Sequence, residues 1–177
     1  MTPDEARERV RQAQARVSPP GGFDAWLHIL AAPAGSGAAT KGGSGGDGTA
    51  GEVWSETVSL TAPNDPGDPL SLFFIPPERV ARVLAQRLAC LGESCARAGD
   101  ECAGYAVQAG LSGMEYRALA PAPPGFVPRY RLPRRSLDEP IWAGEPLWCP
   151  RERLSGEPGR IAAELVAGLA ARLEGSS

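Results

Sequence analysis

Apolar residues return at helical spacing in three stretches of the chain. In the first, Ala6, Val10, Ala13 and Val17 form a narrow seam among Arg, Glu and Gln. Thr2 can cap this helix, Pro3 suits its first turn, and Glu5 stands three positions after Thr2, as a capping box requires. A seam this narrow places the helix on a surface. In the second, Pro76-Pro77-Glu78 opens the longest helix, which extends to about Arg97. Val80, Leu84, Leu88, Leu91 and Cys95 give it a continuous stripe, which makes it the core helix, and Gly99-Asp100 stops it. In the third, from about Pro158 to Glu174, Ile161, Leu165, Leu169 and Leu173 repeat every four residues. Gly168 weakens that helix by about 1 kcal/mol relative to Ala.

Alternation marks the strands. From Phe23 to Ala32, residues Phe23, Ala25, Leu27, Ile29 and Ala31 share one face, and Asp24, Trp26, His28 and Leu30 share the other. Val53–Ala62 alternates likewise, with Trp54, Val58 and Leu60 opposite Ser55, Thr57 and Ser59. Leu70–Ile75 is apolar enough for burial on both faces. Tyr105–Ala120 holds one or two strands around Gly110 and Gly113. Phe126–Leu132 reads as an edge strand because of Pro128. Residues 133–156 read as irregular, anchored by Trp142 and Trp148.

The order α-β-β-β-α-β-β-α predicts an α+β fold, a mainly antiparallel sheet of about five strands with three helices on one face. The length of 177 residues fits a single domain, 1–177. Residues 33–51 carry the run GGSGGDG and predict a flexible loop. No apolar run reaches the roughly 18 residues of a membrane helix, and the polar opening MTPDEARERV is no secretory signal, so a cytoplasmic location is expected. The basic residues are 17 Arg and the single Lys41, a bias that points to a GC-rich bacterial genome.

A net charge of −3 argues against nucleic-acid binding over the whole surface. Cys90, Cys95, Cys102 and Cys149 form no CxxC, so zinc-ribbon and redox motifs are absent. Four reduced, buried thiols are expected, with a Cys95–Cys102 or Cys102–Cys149 disulfide as the alternatives. His28 is the only histidine, which removes mechanisms that need two; it is expected as a half-exposed strand residue beside Trp26. No metal ligand set, phosphate loop or catalytic motif emerges, and no cofactor is expected.

One local charge excess remains. Arg129, Arg131, Arg134 and Arg135 surround Tyr130, a combination that suits an acidic protein surface or phosphates. This cluster is the first candidate binding site, and the Trp26–His28 strand face is the second. The expected function is a non-enzymatic protein-binding module. Its element order is similar to that of bacterial secretion chaperones and toxin-neutralising immunity proteins, an analogy carried by no motif. A small enzyme or ligand-binding domain, with a pocket near residues 129–149 lined by Trp142, Trp148, Cys149 and the arginine cluster, is the alternative. An RNA-binding domain is the third. The partner is expected to be another protein, and a homodimer is compatible with the sequence.

Overall fold

The computed structural model describes residues 1–35, 53–61, 73–122, 124 and 139–175. The fold is α+β. Helix α1 (Pro3–Gln14) leads to strands β1 (Trp26–Ala34), β2 (Trp54–Ser59) and β3 (Phe74–Ile75). Helix α2 (Pro77–Ala98) follows, then β4 (Gly104–Ser112), β5 (Ala118–Leu119), β6 (Ile141–Trp142) and β7 (Leu147–Pro150). Helices α3 (Arg151–Gly156) and α4 (Pro158–Gly175) close the order. The main sheet runs β2-β1-β4 with every pairing antiparallel, and β6 and β7 both pair with β4.

Two faces of β1 support two apolar clusters. Leu27, Ile29 and Ala31 pack with Val107, Ala109 and Leu111 of β4 against the stripe of α2 and the apolar face of α4. Leu84 and Leu88 are fully buried there. Leu30, Ala32 and Ala34, with Ala106 of β4, pack instead against Ala6 and Val10 of α1. Helix α1 therefore lies on the opposite side of the sheet from α2 and α4, and the helices do not share one face. Its capping box forms as the sequence requires: Thr2 Oγ1 accepts from Glu5 N, and the Glu5 carboxylate accepts from Thr2 N. Gly168 has a packing role. A Cβ at this position would overlap the carbonyl of Ala143, so glycine lets α4 approach the segment after β6.

Several boundaries differ from expectation. Strand β1 continues through Pro33, which alternation alone ends at Ala32. Its pairing with β2 stops at Ala31↔Trp54, whereas its pairing with β4 extends to Ala34↔Gly104. Among the described residues, the ring nitrogen of Pro33 therefore costs no ladder bond on the β2 side. Phe74–Ile75 leaves the main sheet and pairs in parallel with Ala118–Leu119. Residues 139–156 are far from irregular, since β6, β7 and α3 lie there. The remainder of the expected 33–51 loop and the expected 126–132 strand lie outside the described residues.

Cysteine chemistry also differs. Cys95 and Cys102 form a disulfide, with Cα atoms 5.3 Å apart, in place of two free thiols. The short 3-10 turn Gly99–Glu101 folds the chain back after α2 and brings Cys102 beside the last turn of that helix. Cys90 and Cys149 are free, the first exposed and the second buried.

Candidate functional site

Strand β1 is the axis of the candidate site. On its α1 side, Trp26, His28 and Leu30 lie across from Ser59, Thr57 and Ser55 of β2. On the other flank they face Ser112, Gly110 and Gln108 of β4. Helix α1 covers the end of this face that carries Leu30, Ala32, Ala34 and Ala106. The remainder is polar, which is unusual for a central sheet surface, and its His28 and Gln108 are met by direct pairing.

His28 is 1% exposed, not half-exposed, and it does not reach solvent beside Trp26. Its Nε2 lies 2.7 Å from Ser112 Oγ and its Nδ1 lies 3.2 Å from Thr57 Oγ1. One ring nitrogen donates to a hydroxyl and the other accepts from one, which satisfies a neutral imidazole. Burial lowers the pKa of His28 below its ordinary value, so the neutral form is the one held. Trp142 tilts over this region, its ring centroid 6.3 Å from that of His28. It can do so because the residue beneath it is Gly110, where a Cβ would come within 2.6 Å of the indole. Gln108 is fully buried and spans Gly144 O and Ala109 N. Trp26 Nε1 and Ser59 Oγ, a cross-strand pair, are buried atoms without a hydrogen-bond partner.

The Ser112–His28 contact has the length of a nucleophile–base pair. Its surroundings do not suit that chemistry. Ser112 is 3% exposed, and the far nitrogen of His28 meets a hydroxyl where a carboxylate would be needed to stabilise an imidazolium. The triplet ties β4, β1 and β2 together.

Beside this triplet, between α1 and β2, lies a groove of about 540 Å3. Leu30, Val53, Ser55 and Thr57 line its sheet side, and Ala13, Val17 and Ser18 line its helix side. Arg9 and Gln12 of α1, and Arg16 just beyond its C-terminal end, complete the lining, which contains no carboxylate. Arg16 is exposed and forms no ion pair among the described residues. Thr57 belongs to both places, since it lines the groove and bonds His28.

Of the residues singled out in the sequence, Trp26 and His28 lie on this sheet face. Arg129, Tyr130, Arg131, Arg134 and Arg135 lie outside the described residues. The alternative pocket divides: Trp142 and Trp148 pack on the α1 side of the sheet, whereas Cys149 belongs to the core on the α2 side. Successive strand residues point to opposite faces, so Trp148 and Cys149 cannot line one cavity. Burial also pushes the Cys149 thiol up to about 12, which keeps it protonated and poorly nucleophilic. Sequence reasoning missed Thr57, Ser112 and the flank of α1. The sequence showed only Arg, Glu and Gln around the apolar seam of α1, not that this flank runs beside β2.

Among the described residues, no group of His, Cys, Asp and Glu could hold a metal ion, and no helix is long and apolar enough to cross a membrane. No protein-family model matches the chain, and neither a curated protein nor a solved structure shows significant similarity to it.

Proposed function

We propose that this chain is a non-enzymatic protein-binding module that receives a segment of its partner in the groove between α1 and β2. One observation carries the reading: the groove opens along β2, which stands at the edge of the main sheet among the described residues. Edge strands are ordinarily shielded by Lys, Pro, a bulge or a covering element. The sequence of β2, WSETVS, contains neither basic residue nor proline, and its single charge, Glu56, is occupied by Arg87 at 2.8 Å. An edge without these devices among the described residues, beside a preformed groove, fits recognition by strand addition. An adaptor or a chaperone-like protein would use such a surface. The Cys95–Cys102 disulfide favours work in an oxidising setting over the reducing cytoplasm.

Affinity capture from the source cells tests this, with the unaltered chain compared against Ser55→Trp. Ser55 is exposed in the groove, and Trp is well tolerated in strands, so the variant should fold and fill the site. A stoichiometric protein retained by the unaltered chain and lost with Ser55→Trp is the expected result. Retention of the same protein by both, or recovery of RNA or a small molecule in place of a protein, would overturn the proposal.

A further inference from the structure

His28 and the groove share one side chain. Thr57 Oγ1 lies 3.2 Å from His28 Nδ1, and Thr57 also lines the groove wall on β2. The other ring nitrogen, Nε2, lies 2.7 Å from Ser112 Oγ on β4. A neutral imidazole satisfies this arrangement with one donor and one acceptor. An imidazolium does not. Both nitrogens then donate, so both hydroxyls must accept, and the one that had donated must turn its hydrogen elsewhere. Among the described residues, no carboxylate is placed to offset the charge. On β2, Glu56 belongs to the opposite face of the sheet and pairs with Arg87 of α2. On this face β4 carries Gln108, Gly110 and Ser112, and β6 carries Trp142, none of them anionic. Along the chain, Asp24 stands four residues away, about 13 Å when extended, and accepts from the Thr61 hydroxyl. At the end covered by α1, Glu8 and Glu145 pair with Arg11, and the charged side chains of the groove, Arg9 and Arg16, are cations. An imidazolium here is accommodated only by reaching water.

The two strands that hold His28 differ in how readily they give way. β4 is buried along its whole length, pairs with β1 from Trp26↔Ser112 to Ala34↔Gly104, and also pairs with β6 and β7. β2 is half-buried at best and pairs with β1 only from Trp26↔Ser59 to Ala31↔Trp54 among the described residues, with Ser55 and Thr57 exposed. Its firm end is Leu60, whose N–H donates to Ala25 O and whose carbonyl accepts from Arg79. Local opening takes the less buried side and starts at the end away from Leu60. We infer that His28 is an acid-sensitive latch: on protonation it lets residues 54–57 of β2 swing away from β1, and the wall of the groove moves with them. Burial holds the folded imidazole below its ordinary value, so it is the opened form that takes up the proton, at about 6.5. Above pH ~6.5 opening is independent of His28, and below it each pH unit favours the opened form by up to about tenfold. On the protein-binding reading above, a segment seated in the groove is released in acid; the latch itself does not depend on that reading.

Amide hydrogen exchange, read by mass spectrometry and corrected for the intrinsic rate at each pH, tests the latch with no partner present. Protection over β2 should fall by about fivefold to thirtyfold between pH ~7.5 and pH ~5, with the change setting in near 6.5. Protection over β4 should fall distinctly less. His28→Gln keeps a polar side chain that does not titrate, and it should hold β2 protection level across that range. His28 is the only histidine, so its ring resonances report protonation in the unaltered chain directly, and the test does not hang on the variant folding. Those resonances should show a neutral ring below pH ~6.5 wherever β2 is still closed. Constant β2 protection in the unaltered chain would overturn the inference. So would a loss that sets in only near pH ~4, which belongs to carboxylates, or one equally large in His28→Gln. A loss shared equally by β4 would make the effect global unfolding and remove the latch. A ring that titrates at its ordinary value while β2 stays protected would remove it as well. Because none of these readings uses a partner, failure of the latch leaves the binding module standing, and failure of capture leaves the latch standing.

Discussion

His28 Nε2 and Ser112 Oγ lie 2.7 Å apart, although 84 residues separate them in the chain. The contact exists because β1 and β4 pair in a register that sets Trp26 against Ser112 and His28 against Gly110. Both side chains are nearly inaccessible, so each depends on the other for hydrogen bonding. Replacing Ser112 with Ala should cost about 1–3 kcal/mol, the penalty for stranding a buried polar partner. Urea unfolding measures this, and an unchanged midpoint would show that His28 finds another partner.

Stability should also depend on pH through His28. Its folded pKa lies below the unfolded value of about 6.5, because burial disfavours the imidazolium. Below that unfolded value the unfolded chain takes up a proton that the folded chain resists. Stability is therefore retained above pH ~6.5, falls as pH drops toward the folded value, and then levels off. His28→Gln should remove this component from the pH profile. An identical acid-side slope in the variant would assign the dependence to carboxylates.

The Cys95–Cys102 disulfide closes a short loop, with a sequence separation of 7. Loop-closure entropy gives it roughly 2.5 kcal/mol of stabilisation. Replacing both cysteines with Ala should lower unfolding stability by about that amount, less any gain from repacking. Mass spectrometry of non-reduced peptides checks the linkage, and separate 95 and 102 thiols would refute it.

Cys90 and Cys149 should differ in reactivity. Cys90 is exposed on α2, whereas Cys149 is buried with its thiol pushed up to about 12. An alkylating reagent at neutral pH should modify Cys90 in the native protein and reach Cys149 only on unfolding. Native modification of both would contradict the placement of β7.

Gly168→Ala reverses the usual expectation for a helix. In an isolated helix the change gains about 1 kcal/mol. Here the added methyl group meets the carbonyl of Ala143. A net loss of about 1–3 kcal/mol is expected, as in other overpacked contacts. A stabilised variant would mean that α4 stands off from the end of β6.

Much of the frame was legible because it rests on local periodicity. The capping box at Thr2, the stripe of α2, the four-residue repeat of α4 and the two faces of β1 are each written in a short window. In such windows a side chain's direction follows from backbone geometry alone. The polar alternation of Ser55, Thr57 and Ser59 was visible in the same way.

Other features depended on which distant segment arrived. Pro33 fits within β1 where, among the described residues, the pairing with β2 reaches only Ala31↔Trp54. Cys95 and Cys102 meet only because a tight turn folds β4 back along α2. His28 looks exposed in its own strand, and is buried by partners from β2, β4 and β6. Whether α1 joined the other helices or took the opposite face was likewise undetermined by its seam, since apolar burial is non-directional and rewards either surface. The groove exists because α1 took the opposite face and came to rest beside β2, a placement that only the pairing of the whole sheet could decide.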